Sequence, residues 1–264
     1  MFEPGSIAYE YDGTYEGFLC CVFACFEKKE TPPDVRLCDT PQLLLEEACF
    51  IETDPVKAER VRRALPQKIS REAELLVKRV FLTEIENKEL YMLRFVQLGF
   101  SMGADVLRHL TDDTVAVMRK AERYLLNESH RYKQFIRFSS AGGVLSSVIK
   151  PVCRVLPVIA PHFADRYPEE QFLIYDETHG MALVHRPGEQ AIVPVDSFVM
   201  EEADSVEQRY RDLWCDYYDT IAIEGRYNPK CRMNHMPKRY WDQMTEFCRS
   251  SSPGLRHTGT KGSG

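Results

Sequence analysis

The hydrophobic period of the chain changes near Phe135, and no other feature constrains its fold as much. From Asp112 to that point, apolar residues recur at steps of three and four, which is the spacing of a long amphipathic helix. Beyond it, residues 135–151 predict two strands joined around Gly142-Gly143, a pair suited to a tight hairpin turn. A mostly helical first half is therefore expected to lead into a sheet.

The sheet is expected to continue after a short helix at residues 155–168, which prolines bound on both sides. Residues 172–186 predict a second strand pair that turns at Thr178-His179-Gly180, and residues 190–195 predict an edge strand. An acid-rich helix from residue 200 and a last helix at 237–247 would close the fold. Because helices and strands come in runs, the pattern favours an α+β class with an antiparallel sheet of about five strands and a helical C-terminal end.

The N-terminal half adds shorter elements to this plan. Residues 7–11 predict a strand and residues 15–27 a helix, whereas residues 27–42 contain two consecutive prolines and predict a surface loop. We expect one globular unit over residues 1–249, within which residues 54–130 can form a helical subdomain. The polar, glycine-rich tail at 250–264 is expected to be disordered.

The nine cysteines indicate a reducing compartment, since their number is odd and their spacing has no disulfide-like rhythm. The densest group, Cys20, Cys21 and Cys25, lacks the C-x₂-C spacing of an iron–sulfur site, and we expect it to pack in the core. The N-terminus lacks the pattern of a secretory signal, and no apolar run is long enough for a membrane span. The expected location is the cytoplasm, without a membrane partner.

Several large enzyme classes are excluded by motif. The chain has no G-x-x-x-x-G-K-[ST] or G-x-G-x-x-G phosphate loop, no G-x-S-x-G nucleophile elbow and no H-E-x-x-H zinc helix. We therefore predict no cofactor and no metal for the chain itself, and whether it is an enzyme stays open.

A polar group on the predicted helix at 155–168 is the first candidate site. His162, Asp165 and Arg166 stand at i, i+3 and i+4, so they share one helix face. The aspartate can orient the imidazole for acid–base work, and the arginine can reach a phosphate. The alternative is a histidine at a helix start beside a surface ion pair.

A cationic segment at the end of the long helix is the second candidate. His130, Arg131, Lys133 and Arg137 cluster here, and we expect Arg137 to project from the sheet toward a phosphate. The alternative is structural, because cations near a helix C-terminus stabilise the helix dipole.

The third candidate is the segment from Arg226 to Trp241, which contains no acid in a chain whose formal net charge is −6. Cations and flat rings alternate here, as they do where proteins bind nucleic-acid phosphates and stack on bases. Two X-Pro pairs, at residues 228–229 and 236–237, are expected to hold the segment in a set shape. The alternative is a solvated basic turn between two helices.

Four segments together resemble a bacterial family of DNA-repair or DNA-metabolism proteins without an established activity: residues 11–27, 130–138, 156–185 and 221–241. The resemblance implies a genomic partnership with a radical-SAM protein that modifies or repairs DNA. It also implies that the C-terminal part exists elsewhere as a domain of unknown function fused to uracil-DNA-glycosylase-like enzymes. Gly225 departs from the family pattern, which places an acid at this position.

Most of the residues that match the family pattern belong to the candidate sites. They are Asp12, Gly13, His130, Arg131, Phe138, His162, Asp165, Arg166, Asp176, Arg226, Asn228, Pro229, His235, Pro237, Arg239, Tyr240 and Trp241.

Three functions follow as hypotheses. In the first, the protein is a repair accessory that binds DNA and presents it to a radical-SAM partner, which would own the iron–sulfur cluster and the S-adenosylmethionine. In the second, it is a DNA-acting hydrolase or lyase that uses His162, Asp165 and His235. In the third, it is a protein–protein scaffold that docks through the acidic helix from Glu201. The residues expected to bind nucleic acid are His130, Arg131, Arg137, Arg166, Arg226, Asn228, Lys230, Arg232, Lys238, Arg239, Tyr240 and Trp241.

Overall fold

The computed structural model describes residues 2–38, 47–141, 143–198, 205–221, 223 and 228–247. The chain divides into two compact units. The first comprises Met1–His130 and Pro151–Val158, and the second comprises Arg131–Lys150 and Ile159–Gly264. The predicted α+β class is confirmed.

The first unit is mostly helical and has small parallel sheets. Its elements are β1 (Glu3–Pro4), β2 (Ala8–Tyr11), α1 (Tyr15–Lys28), β3 (Glu30–Thr31), β4 (Val35–Leu37), β5 (Ala48–Phe50), α2 (Pro55–Lys68), α3 (Arg71–Phe81), α4 (Lys88–Met102), a 3₁₀ helix (Gly103–Arg108) and the long α5 (Asp113–Phe135). Strands β4, β2 and β5 form one parallel sheet in that order, and β1 pairs with β3.

The predicted loop at residues 27–42 is wrong in part, because β3 and β4 lie within it. Each of these strands has only two or three residues, and each exists because it pairs with a distant strand, as when Val35 pairs with Tyr9. Sequence periodicity cannot detect so short an element. Residues 39–42 of the segment lie outside the described residues.

Side chains cap the starts of two helices in the first unit. Thr14 caps α1 by accepting the Gly17 N–H, and Ser70 caps α3 by accepting the Ala73 N–H. The cysteine group on α1 is buried, as the sequence predicts, and this burial raises the pKa of Cys25 to about 11.

The second unit contains the predicted five-stranded sheet. Its elements are β6 (Ser139–Ala141), β7 (Val144–Ile149), α6 (Leu156–Arg166), β8 (Phe172–Asp176), β9 (Met181–Arg186), β10 (Glu189–Pro194), α7 (Ser205–Thr220), α8 (Pro229–His235) and two 3₁₀ helices (Lys238–Gln243 and Thr245–Phe247). The last turns of α5 and most of α6 belong to this unit.

The sheet order is β10-β9-β8-β7-β6, and its pairs are antiparallel except one. Strands β7 and β8 run parallel, because α6 crosses over between them. The predicted sheet of about five strands is confirmed and is mostly antiparallel, with this one parallel pair. At the β6–β7 turn, Gly143 adopts a φ of +83°, a conformation that glycine tolerates, while Gly142 lies outside the described residues.

The C-terminal end is helical, as predicted, but its elements are shorter. The expected last helix at 237–247 is divided into two 3₁₀ helices, and the basic segment before it contains α8. Asn228 caps α8 and Pro229 occupies its first turn, which explains why an X-Pro pair starts a helix here. The predicted tail at 250–264 and the acidic start at 200–204 lie outside the described residues.

No helix among the described residues is both long and apolar enough to cross a membrane.

A buried hydrogen bond in the first unit generates a stability prediction. The Tyr11 hydroxyl donates to Glu89 Oε1 at 2.9 Å, and burial raises the pKa of this carboxyl group. Tyr11→Phe leaves the carboxyl without that donor, so we expect the free energy of unfolding to fall by about 1–3 kcal/mol. Chemical denaturation measures the change.

Tyr15 supplies the matched control for this substitution. Its hydroxyl is buried, and among the described residues it has no hydrogen-bond partner. Tyr15→Phe should therefore leave stability unchanged or raise it. Equal losses in the two variants would contradict the role given to the Tyr11–Glu89 bond.

Candidate nucleic-acid interface

The last turn of α5 presents rings on one side and cations on another. Tyr132 and Phe135 are three residues apart and buried, so they face the interior of the second unit together. Arg131 and Lys133 are half-buried and flank Tyr132 in the sequence. This turn thus joins an apolar anchor to a pair of cations.

Tyr240 packs onto the apolar anchor. Its ring centroid lies 5.1 Å from that of Tyr132 in an edge-on arrangement and 5.4 Å from that of Phe135. The side chain is fully buried. Tyr240 therefore anchors the C-terminal segment in this conformation, in which its ring is not exposed for stacking on a base.

The two residues before Tyr240 are exposed cations. The Arg239 guanidinium lies over the Tyr240 ring, 4.7 Å from its centroid, and donates to the Tyr240 hydroxyl. Lys238 lies over the Trp241 ring, with its Nζ 5.8 Å from the centroid. The anchor therefore holds both cations at the surface.

Trp241 and Arg232 pack on each other. The Trp241 ring stacks on Phe247 at 4.6 Å, and its Nε1 donates to the Met236 carbonyl at 2.9 Å. The Arg232 guanidinium lies 5.2 Å from the Trp241 centroid and 5.3 Å from that of Phe247. Both residues thus hold this segment together through ring and cation–π contacts.

The remaining predicted residues of the basic segment lie on and around α8. Lys230 and His235 are exposed. Asn228 Oδ1 accepts the Cys231 N–H at 3.0 Å, so this side chain serves the helix cap. Arg226 lies outside the described residues.

The three residues of the predicted polar group all lie on α6. His162 is partly buried, while Asp165 and Arg166 are exposed. Burial is the largest cause that lowers the pKa of His162, and the nearby charges of Lys133 and Arg166 lower it further, whereas Asp165 opposes them. The imidazole is therefore neutral near pH 7 and lies among cations from α5 and α6.

Arg137 does not project from the sheet. It lies in the connection between α5 and β6, where its guanidinium donates to the Gln134 carbonyl and pairs with Glu246 at 3.3 Å. The Glu246 side chain is only 4% exposed and also accepts the Trp214 Nε1–H at 3.0 Å. Arg137 therefore takes part in an ion pair with a buried carboxylate, and its contact with a phosphate stays a prediction.

Two other family-pattern residues are placed by the fold. His130 is exposed on α5. Asp176 is buried at the end of β8, where its Oδ2 lies 2.7 Å from His179 Nδ1 and its Oδ1 accepts the His179 N–H. Asp176 therefore holds the β8–β9 turn, a role that the sequence pattern did not reveal.

The three predicted catalytic residues are only partly brought together. His162 and Asp165 share α6, whereas His235 ends α8. Among the described residues, no hydrogen bond or ion pair joins His235 to either of them.

Comparison with known protein families identifies the family of the chain. A family model described as a domain of unknown function, DUF4130, matches residues 86–246, which is well over half of the 264 residues. The chain belongs to the DUF4130 family. Searches of curated proteins and of solved structures found no match.

The DUF4130 match includes every described residue of the three candidate groups. It begins before α4 and ends at Glu246, the carboxylate that pairs with Arg137. Among the described residues, no group of three or more His, Cys, Asp or Glu side chains is arranged to hold a metal ion.

The lowered pKa of His162 predicts a pH dependence of stability. In the unfolded chain this histidine takes up its proton near its ordinary value of 6.5, whereas in the folded DUF4130 domain it does so at a lower pH. The unfolded state therefore binds more protons in this window, and the free energy of unfolding falls as the pH drops below about 6.5.

The substitution His162→Gln should make the free energy of unfolding decrease less as the pH drops below about 6.5. Denaturation of both proteins between pH 7 and pH 5 measures the difference. If the wild type loses no more stability than the variant, the surroundings assigned to His162 are incorrect.

Proposed function

We propose that the protein binds the phosphate backbone of DNA through the exposed and half-buried cations of its second unit. The observation that carries the proposal is that the last turn of α5 interacts with residues beside both groups of cations. Lys133 acts electrostatically on His162 beside Arg166, while Tyr132 and Phe135 hold Tyr240 and, with it, Lys238 and Arg239. One helical turn thus supports two groups of cations.

Local charge makes phosphate the best-suited ligand. The chain has a net charge of −6, so the whole molecule does not attract DNA. Cations held at fixed positions can still neutralise a few phosphates and release their counterions. This arrangement favours a confined contact over sliding along the duplex.

The described rings do not favour sequence recognition. Tyr240 is buried, and Trp241 stacks on Phe247. Base stacking by these two rings would require the C-terminal segment to rearrange. Contacts to phosphate carry no sequence information, so we expect binding that tolerates any base sequence.

A salt series tests the proposal. We expect the double variants Lys133→Ala/Arg166→Ala and Lys230→Ala/Lys238→Ala to weaken duplex binding. Each should also reduce the slope of log affinity against log salt by about one for every phosphate that the variant no longer neutralises. Fluorescence anisotropy with a labelled duplex of random sequence measures both quantities.

Arg94→Ala/Arg108→Ala provides the matched control. These two arginines are exposed and lie outside the candidate groups, so the control removes the same charge from the first unit. If the control lowers the slope as much as the test variants do, the attraction is general and the proposed interface is wrong.

The partnership with a radical-SAM protein is a second part of the proposal, and the family resemblance supports it. In this arrangement the partner supplies the iron–sulfur cluster and the S-adenosylmethionine, and the present chain holds the DNA. Co-expression with the genomic neighbour and co-purification on DNA-free and DNA-loaded resin tests it. Failure to co-purify in both conditions would remove the partnership and leave the DNA-binding proposal standing.

The hydrolase or lyase hypothesis gains less support. A neutral His162 beside Asp165 suits a general base. His235 lies on another helix without a described contact to this pair, so the three residues do not form one catalytic group among the described contacts.

A further inference from the structure

Helix α7 turns an apolar stripe toward the solvent. Five apolar side chains form the stripe and are between 54% and 67% accessible: Val206, Tyr210, Leu213, Tyr217 and, just after the helix, Ile221. The sequence predicts that these residues share one helix face, and their spacing agrees with it. In a surface helix of a globular protein such a face normally packs on the core.

The opposite side of α7 explains this orientation. Arg211 donates to the Ser139 hydroxyl and pairs with Glu207. Cys215 is buried with its Sγ 3.5 Å from the Thr245 carbonyl, and the Tyr218 ring lies edge-on to Phe247. These contacts hold α7 to the rest of the second unit by its polar and cysteine-bearing side, so the apolar stripe faces outward.

The spacing of the stripe suits another helix. Val206, Tyr210, Leu213 and Tyr217 follow steps of four, three and four, which are the a and d positions of a heptad. An anionic lipid surface fits less well, because lipid-binding helices carry basic polar faces. The polar side of α7 instead includes Asp212, Asp216 and Asp219.

The charges that flank the stripe are complementary to a second copy of the same helix. Arg209 and Asp216 lie seven residues apart on one flank, each immediately before an a position. In an antiparallel pair with Tyr210 opposite Leu213 of the second copy, each Arg209 falls opposite the Asp216 of the other. A parallel pair in register would instead place these charges opposite Trp214 and Ile221. The antiparallel arrangement is therefore the self-complementary one.

We propose that two copies of this chain associate through antiparallel pairing of their α7 helices. The contact is isologous, so Val206 and Tyr210 of one copy meet Tyr217 and Leu213 of the other, and the reverse. A helix of 16 residues is about 24 Å long, and a single pair of this length buries less than roughly 1,200 Å². Such an interface gives a weak dimer, with a dissociation constant on the order of micromolar.

Sedimentation velocity on the full chain across a concentration series tests this pairing. We expect a monomer–dimer equilibrium, and Leu213→Glu should raise the dissociation constant by about tenfold or more, since it places a charge in the seam. Leu110→Glu is the matched control, because Leu110 on the first unit is 61% exposed and Leu213 is 60% exposed. The control should dimerise like the wild type.

A charge swap tests the orientation. Arg209→Asp alone should weaken the dimer, and Arg209→Asp combined with Asp216→Arg should restore it. A monomer at every concentration, or equal effects of Leu213→Glu and Leu110→Glu, would overturn the proposal. The proposal would also be overturned if the protein stayed monomeric and bound lipid vesicles, and Leu213→Glu abolished that binding. If the wild type dimerises but the combined variant Arg209→Asp/Asp216→Arg remains as weak a dimer as Arg209→Asp alone, the antiparallel arrangement is wrong.

Discussion

Burial of the Tyr240 ring against Tyr132 and Phe135 is the interaction on which the second unit most depends. The two ring contacts add about 0.5–1.5 kcal/mol each to the stabilisation that comes from burying the aromatic surface. They tie the C-terminal segment to the end of α5, and they fix where Lys238 and Arg239 leave the core. A second tie lies nearby, where buried Glu246 accepts hydrogen bonds from Arg137 and Trp214.

Local patterns predicted the elements and part of the candidate site. His162, Asp165 and Arg166 share a face of α6 because helix geometry alone decides it. The effect of Lys133 on His162 could not be predicted, since it depends on how α5 and α6 pack. The pairing of Arg137 with Glu246 joins residues 109 apart in the chain, and no sequence pattern marks it. The parallel β7–β8 pair could have been inferred, because a strand, a helix and a strand in succession favour a crossover.

Two features of the second unit cannot be predicted from the sequence, and the physical reason is the same for both. An aromatic residue in a basic segment has the same sequence signature whether it stacks on a base or anchors the segment, so the pattern does not reveal that Tyr240 is buried. The apolar period of α7 identifies a helix face but not what covers it. Only the contacts of Arg211, Cys215 and Tyr218 show that the opposite face is the one held by the second unit. Membership of the DUF4130 family does not resolve either point, since the family has no assigned function.

The central claim is that DNA phosphates contact the cations held by the end of α5 and by the C-terminal segment. Lysine acetylation followed by mass spectrometry, with and without a duplex, tests it most directly. The account predicts that DNA protects Lys133, Lys230 and Lys238 from acetylation and leaves exposed Lys57 and Lys120 of the first unit unchanged. Protection of Lys57 and Lys120 with unchanged reactivity at Lys133, Lys230 and Lys238 would contradict it.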